Sequence, residues 1–134
     1  MHREVRDRQL PLLAVDQDTL ADNGVLVVTA RGQIDLGTVS ELVNGLTQAI
    51  DHAGQTGAGM VLLDLSGTTF LASVGLAALL EATSTARSAG AELKVITGSA
   101  HAVLRALEIT GLDTTLAIHP DIDDALVRTP RNPA

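Results

Sequence analysis

The sequence predicts a single α/β domain, with a mostly parallel central β-sheet, an N-terminal hairpin and about four packing helices. Its 134 residues suit one domain with one core. Strand-like and helix-like segments alternate along most of the chain, and such units build parallel sheets through right-handed crossovers. We therefore expect a flexible N-terminus over residues 1–9, a folded domain over 10–127 and a C-terminal tail over 128–134.

The hairpin is predicted from the first two strands. Residues 10–15 form a weak strand, in which Pro11 favours a position at the edge of the sheet. The Asp-Asn-Gly sequence at 22–24 is a turn signal. Residues 25–30 are apolar and rich in valine, which is typical of a strand.

The first helix is predicted to follow the Gly-Gln-Ile-Asp segment at 32–35. Thr38 and Glu41 have capping-box spacing, in which the Thr hydroxyl accepts from the N–H three residues on and the Glu reaches back. Gly54 and Gly57 are expected to end the helix. The apolar residues that recur at helical spacing are Val39, Leu42, Val43, Leu46, Ala49 and Ile50.

The middle of the chain is predicted to hold the central strand and a second helix. Residues 60–65 are almost continuously apolar, as a strand buried on both faces requires. Residues 66–69 are expected to form a turn. Ser73 then begins a helix as its N-cap, and Gly90 ends it.

The last third of the chain continues the alternation. Residues 93–96 form a strand, and Ser99 is placed to cap a helix that Gly111 ends. Residues 114–118 are predicted as the last strand and 121–127 as a short helix.

Composition excludes several classes of function. Nine basic residues face sixteen acidic ones, so the net charge is -7 and the surface repels nucleic acid. The absence of Cys removes thiolate metal sites, and the four His are scattered, so we expect neither metal nor cofactor. Apolar runs reach about five residues, whereas a spanning helix needs about 18. We therefore expect a cytoplasmic protein without membrane insertion.

Motifs for catalysis are incomplete. A nucleophile elbow needs Gly-x-Ser-x-Gly, and residues 71–75 around Ser73 have only the second Gly. Phosphate-binding loop motifs are missing from the sequence. An aspartyl phosphate at Asp64 would want neighbouring acids and a downstream Lys, and the one Lys, Lys94, lies inside a strand. We therefore expect no enzymatic activity. The alternative hypothesis for an enzyme is a hydrolase that uses Ser73.

The sequence allows two interpretations of Ser73, a helix N-cap and a phosphorylation site. As an N-cap, its hydroxyl accepts an unpaired backbone N–H, which is worth about 1 kcal/mol. The same position suits a phosphoryl group, because the helix dipole and the free N–H groups attract an anion. Phosphorylation would then add a charge of about -2 without disturbing the fold.

Three segments resemble a known family when taken in order. They are Gly-Gln-Ile-Asp at 32–35, the strand, loop and helix start at 63–76, and the later pieces at 90–93 and 107–112. Over roughly residues 10–127 the chain resembles the STAS domain, in the form of bacterial anti-sigma factor antagonists. The folded domain predicted above is then a STAS domain.

The resemblance implies partner switching in a stress response. Such antagonists bind an anti-sigma factor that is also a serine kinase, and binding frees the sigma factor for transcription. The kinase phosphorylates the antagonist and so ends the binding, and a phosphatase resets it. Ser73 falls on the phospho-acceptor position. Ala72 stands where the family often has Asp, and this departure motivates an alternative, an unphosphorylated scaffold or accessory subunit of a larger signalling or transport complex.

The partner-binding surface implied by the resemblance surrounds Ser73. For Leu71 and Leu76 the core is favoured over the partner, and Phe70 is expected to plug the core. Asp35 is either a turn-former or part of the partner face. The expected partner-binding residues are Asp35, Asp64, Ser66, Thr68, Thr69, Phe70, Leu71, Ala72, Val74 and Gly75.

Overall fold

The structure is a computed structural model that describes residues 12–20 and 24–127. The predicted tails at 1–9 and 128–134 lie outside these residues. The strands are β1 (Leu13–Thr19), β2 (Leu26–Ile34), β3 (Met60–Asp64), β4 (Thr68–Leu71), β5 (Glu92–Ile96) and β6 (Ile118–His119). The helices are α1 (Val39–Thr56), α2 (Ser73–Ser88), α3 (His101–Thr110) and α4 (Ile122–Val127), with a 3-10 turn at Leu112–Thr114.

The described residues form a six-stranded mixed sheet. Five of its strands lie in the order β1-β2-β3-β5-β6, and the sixth, β4, pairs with β2. All strand pairs in it are parallel except β1 with β2. The predicted α/β class, parallel sheet and hairpin are confirmed. Among the described residues the first strand is Leu13–Thr19, which continues beyond the predicted end at 15 because pairing with the long β2 holds its polar second half in the sheet.

β2 changes its parallel neighbour along its length, and this change was not predicted. Its first half pairs with β3, and residues 32–34 pair with β4, with a register shift between Gly32 and Gln33. The predicted turn at 66–69 is therefore wrong in its second half, because Thr68 begins β4. Thr and Phe are good strand formers. The end of β2 extends beyond β3, so its backbone groups are available to pair with β4.

The main core lies between one face of the sheet and the helices α1, α2 and α3. On α1 the stripe of Leu42, Leu46, Ala49 and Ile50 is buried as predicted, whereas Val43 is 41% exposed. Gly57 ends α1 in the left-handed conformation, but Gly54 lies inside the helix and does not end it.

The predicted side-chain caps do not form. The N-cap residues of α1, α2 and α3 are Thr38, Ala72 and Ala100, and none makes a side-chain cap hydrogen bond. Ser73 is the first helical residue rather than the N-cap. The Thr38 hydroxyl instead bonds backbone groups of the preceding turn.

The opposite face of the sheet is covered by α4 over a second, smaller apolar cluster. Lys94 lies within β5 as predicted and is fully buried, and its Nζ donates to the Ala125 carbonyl oxygen at 2.7 Å. The strand predicted at 114–118 is reduced to Ile118–His119, because residues 112–114 form a 3-10 turn. Across the described ranges, no helix is long and apolar enough to cross a membrane.

Candidate functional site

The site lies where β2, β4 and α2 meet. β4 runs beside the end of β2, with Gln33 opposite Phe70 and Ile34 opposite Leu71. The Ala72 N–H then donates to the Ile34 carbonyl oxygen at 2.9 Å, which joins the start of α2 to the end of β2. As a result, the start of α2, with Ser73 as its first residue, lies next to the turn that begins at Asp35.

Ser73 is exposed at the first position of a 16-residue helix. The backbone of Ala72 is extended and leads directly into α2, and no side chain caps this end. The first N–H groups of a helix lack intrahelical partners and carry its positive pole. Because the Ser73 hydroxyl makes no cap hydrogen bond, a phosphoryl group on Ser73 would break no such bond.

The Asp35 turn is held by a buried threonine. The Thr38 hydroxyl donates to the Gln33 carbonyl oxygen at 2.7 Å and accepts from the Asp35 N–H at 3.0 Å. One Asp35 carboxylate oxygen accepts from the Gly37 N–H at 3.0 Å. Asp35 is thus a turn-former, and its side chain is half-buried.

Replacing Thr38 by Ala should destabilise the protein by about 1–2 kcal/mol, because two partly buried backbone groups lose their hydrogen-bond partner. Urea unfolding measures this change. Thr56→Ala is the matched control, since its exposed hydroxyl bonds only the His52 carbonyl, and it should cost at most about 0.5 kcal/mol. Equal losses in both variants would contradict this role for Thr38.

The segment from Asp64 to Thr68 is a closed turn at the end of β3. One Asp64 carboxylate oxygen accepts from both the N–H and the hydroxyl of Ser66, at 2.9 and 2.7 Å. Thr68 is buried, and its hydroxyl donates to the Ala30 carbonyl oxygen at 2.9 Å. These bonds fix the path from β3 into β4.

The expected binding residues divide by burial. Thr68, Leu71 and Gly75 are buried within the domain, and their role in partner binding stays a prediction. At Gly75, a Cβ atom would lie 2.6 Å from a Leu71 methyl and 2.7 Å from an Ile34 methyl, so glycine lets α2 approach β2. The residues that are exposed or half-buried are Asp35, Asp64, Ser66, Thr69, Phe70, Ala72 and Val74.

Two large apolar side chains near Ser73 face solvent. Phe70 is 49% exposed, so the prediction that it packs in the core is wrong. Leu71 and Leu76 are buried, as predicted. Leu36 is 80% exposed in the Asp35 turn and was missed by the sequence reasoning. Its position between Asp35 and Gly37 in a predicted loop could have indicated an exposed apolar residue.

The histidines that the structure describes do not build a metal site. Of the residues described, no group of three or more His, Cys, Asp or Glu side chains could hold a metal ion. His119 is mostly buried, and its Nδ1 lies 2.7 Å from an Asp124 carboxylate oxygen. This pair joins β6 to α4, away from Ser73 in the chain, and has a structural role.

The fold and this sequence together define the class of protein. A family model of the STAS domain matches residues 17–125. The chain therefore belongs to the STAS domain family, and the resemblance found in the sequence is confirmed.

Relatives of this chain include proteins named as anti-sigma factor antagonists. The chain is 33% identical over 110 residues to the anti-sigma-F factor antagonist RsfB of Mycobacterium tuberculosis, covering 81% of this chain and 84% of that protein. The crystal structure of an anti-sigma factor antagonist from Mycobacterium paratuberculosis matches with TM-score 0.70 at 30% identity, over 86% of this chain and 92% of that one. The Bacillus cell fate determinant SpoIIAA, solved in its phosphorylated form, shares the fold with TM-score 0.59 at 15% identity, over 86% and 98% of the two chains.

Proposed function

We propose that this chain is an anti-sigma factor antagonist. It binds an anti-sigma factor in the cytoplasm through the surface around Ser73 and thereby releases a sigma factor. Phosphorylation of Ser73 ends the binding. The names of its relatives support the class of partner. The observation that carries the switch is the exposed Ser73 hydroxyl at the first position of α2, free of any capping role.

The docking surface combines apolar contacts with one modifiable hydroxyl. We define the Ser73 surface as Asp35, Leu36, Phe70, Ser73 and Val74. Leu36 and Phe70 supply the exposed apolar area that a partner can bury, and aromatic residues are enriched at such contacts. The backbone bonds between β2, β4 and α2 keep these groups in fixed relative positions.

Phosphorylation acts on the surface and leaves the fold intact. The anti-sigma factor is the serine kinase, and it transfers the terminal phosphoryl group of ATP to the Ser73 oxygen while the hydroxyl proton leaves to a base of the kinase. The added charge of about -2 is stabilised by the start of α2 in the free protein. In the complex the same charge must be desolvated beside apolar groups and the Asp35 carboxylate. A phosphatase hydrolyses the ester and restores binding.

A pull-down from the native host tests this function. Ser73→Ala and Ser73→Asp variants serve as baits, and bound proteins are identified by mass spectrometry. We expect an anti-sigma factor with a kinase domain to be held by the Ala bait and lost from the Asp bait. Recovery of the same proteins by both baits would remove Ser73 from the mechanism.

One observation favours a second function. Ala72, the N-cap of α2, removes a carboxylate that the family often has beside the acceptor, so Ser73 can also remain unmodified. The chain would then be a STAS scaffold or accessory subunit. Co-purification with a large signalling or transport complex, with Ser73 unphosphorylated throughout, would select this reading over the switch.

Phe70→Ala should weaken anti-sigma factor binding by about tenfold, as expected for the loss of an aromatic contact at an interface. Because Phe70 is about half exposed, its removal should change the free energy of unfolding by less than a core Phe would. Ile109→Ala is the control, since Ile109 is 74% exposed on α3 and outside the Ser73 surface. Calorimetric titration of each variant with the anti-sigma factor gives the affinities, and equal effects would exclude Phe70 as a contact.

A further inference from the structure

Three neighbouring residues form a row across the sheet, just before the Asp35 turn. On one side of β2, the Gln33 N–H donates to the Leu12 carbonyl oxygen at 2.9 Å. On the other side of β2, Gln33 lies opposite Phe70 of β4. Neighbouring strands are about 4.8 Å apart, so Leu12 and Phe70 flank Gln33 at about 10 Å from each other. We call Leu12, Gln33 and Phe70 the Gln33 row.

The Gln33 row faces away from the main core. Successive side chains of a strand point to opposite faces of the sheet. The residues that follow the three members of the row are all buried in the main core, and they are Leu13, Ile34 and Leu71. Leu12 itself is 62% exposed, and Gln33 and Phe70 are exposed as well. The row is therefore an open part of the opposite sheet face.

The other half of this same face is covered by a helix. At the start of β2, Val25 and Val27 belong to the smaller apolar cluster under α4. The main contacts of α4 are with β5 and β6, on the far side of β3 from the row. Sheet faces with apolar side chains are normally buried against another layer. The part of the face that carries the row is thus suited to an element of another protein.

Exposed apolar side chains concentrate at the row. Among the described residues, seven large apolar side chains are exposed. Three of them, Leu12, Leu36 and Phe70, lie around the last residues of β2. Single exposed apolar residues are ordinary, whereas a concentration of them marks an interaction site.

The size of a stable interface identifies the occupant. A specific complex buries about 800 Å² and 20–30 residues on each partner. The Ser73 surface has five residues, so a partner seated on it must extend further. Phe70 belongs both to that surface and to the row, and Leu12 lies within about 10 Å of it. A second copy of this chain, with a net charge of -7, would meet electrostatic repulsion.

We infer that the Gln33 row extends the docking surface for the anti-sigma factor, which covers it with a helix. The helix packs apolar side chains on Leu12 and Phe70 and presents a hydrogen-bonding side chain to the Gln33 amide. The inference rests on the proposed function, because the partner is the same protein. Ser73 supplies the switch, and the row supplies affinity from the strands.

Two substitutions test the row against the purified anti-sigma factor that the Ser73→Ala bait retains. Gln33→Glu keeps the size of the side chain, and Leu12→Asp replaces an apolar contact. Both place a carboxylate that must lose its water in the complex. Each should weaken binding by about tenfold in calorimetric titration.

Matched controls lie on helices that pack against the opposite face of the sheet. Gln48→Glu on α1 and Ile109→Asp on α3 make the same two kinds of change at exposed positions. They also change the net charge by the same amount. Each should leave the affinity within about twofold, since most residues outside the contact have small effects. Losses in the controls equal to those in the row variants would overturn the row.

The outcomes separate the two proposals. Wild-type affinity for both row variants, with Ser73→Asp still weakened, overturns the row and leaves the switch. Weakened row variants with an unaffected Ser73→Asp support the row and overturn the switch. Failure of the wild-type protein to bind an anti-sigma factor overturns both. If Leu12→Asp proves unfolded by circular dichroism, Gln33→Glu decides.

Light scattering tests the other occupant of the row. A dimer of the wild-type protein that dissociates in Leu12→Asp, with unchanged affinity for the anti-sigma factor, would assign the row to a second copy and overturn the inference. We expect the mass in solution to be the same for the wild-type protein and for both row variants.

Discussion

Ser73→Asp should weaken binding to the anti-sigma factor by about a hundredfold. An uncompensated charge that is buried in an interface costs about 3 kcal/mol, which corresponds to that factor. The Asp35 turn follows Ile34, whose carbonyl oxygen accepts from the Ala72 N–H next to the acceptor, so the Asp35 carboxylate should add like-charge repulsion. Ser73→Ala should bind as tightly as the unmodified protein, because the hydroxyl makes no cap hydrogen bond that Ala would lose.

The control for this prediction lies on the same helix. Ser88→Asp makes the same change at the last residue of α2, about 22 Å along the helix from Ser73. It should leave the affinity within about twofold, since exposed charges at this distance are screened. A comparable loss in Ser88→Asp would mean that net charge, and not the position of Ser73, controls binding.

Gly32→Ala should destabilise the protein by about 3 kcal/mol, combining backbone strain with a steric clash. Gly32 has φ +119°, and a Cβ atom there would collide with the Leu12 carbonyl oxygen. At this residue β2 changes its neighbour from β3 to β4, and the Gly32 N–H donates to the Gly67 carbonyl oxygen at 3.1 Å. The substitution therefore disturbs the step that sets the Asp35 turn beside Ser73.

Gly57→Ala separates the two causes in Gly32→Ala. Gly57 also has a positive φ, 73°, but a Cβ atom there meets nothing within 4 Å. Its replacement should cost only about 1 kcal/mol of left-handed strain. Urea unfolding compares the two variants, and equal losses would show that the close approach to Leu12 does not matter.

The sequence predicted the parts of the fold that depend on local pattern. The valine-rich β2, the apolar β3 and the stripe on α1 follow from burial periodicity. β4 was missed because its pairing depends on a free length of β2 edge, which is a tertiary property. The caps were wrong at Thr38 for a related reason, since its hydroxyl bonds Gln33 and Asp35 in the folded turn.

The position of Ser73 in the candidate site was predictable from the sequence, whereas the exposure of its neighbours was not. The helix start at Ser73 was visible from the motif, and the structure places it at an exposed first position. Which neighbours face a partner could not be read from the sequence. Phe70 and Leu71 are adjacent in β4 and alternate between the two faces, so one is exposed and the other is buried.

The central claim is that phosphorylation of Ser73 releases the anti-sigma factor. The most direct measurement is to incubate the purified complex with ATP, map phosphate by mass spectrometry and follow dissociation by size-exclusion chromatography. We expect phosphate on Ser73 and release of the modified protein in step with its formation, with neither event in the Ser73→Ala complex. A phosphorylated protein that stays bound, or phosphate found on another residue while Ser73 remains unmodified, would contradict it.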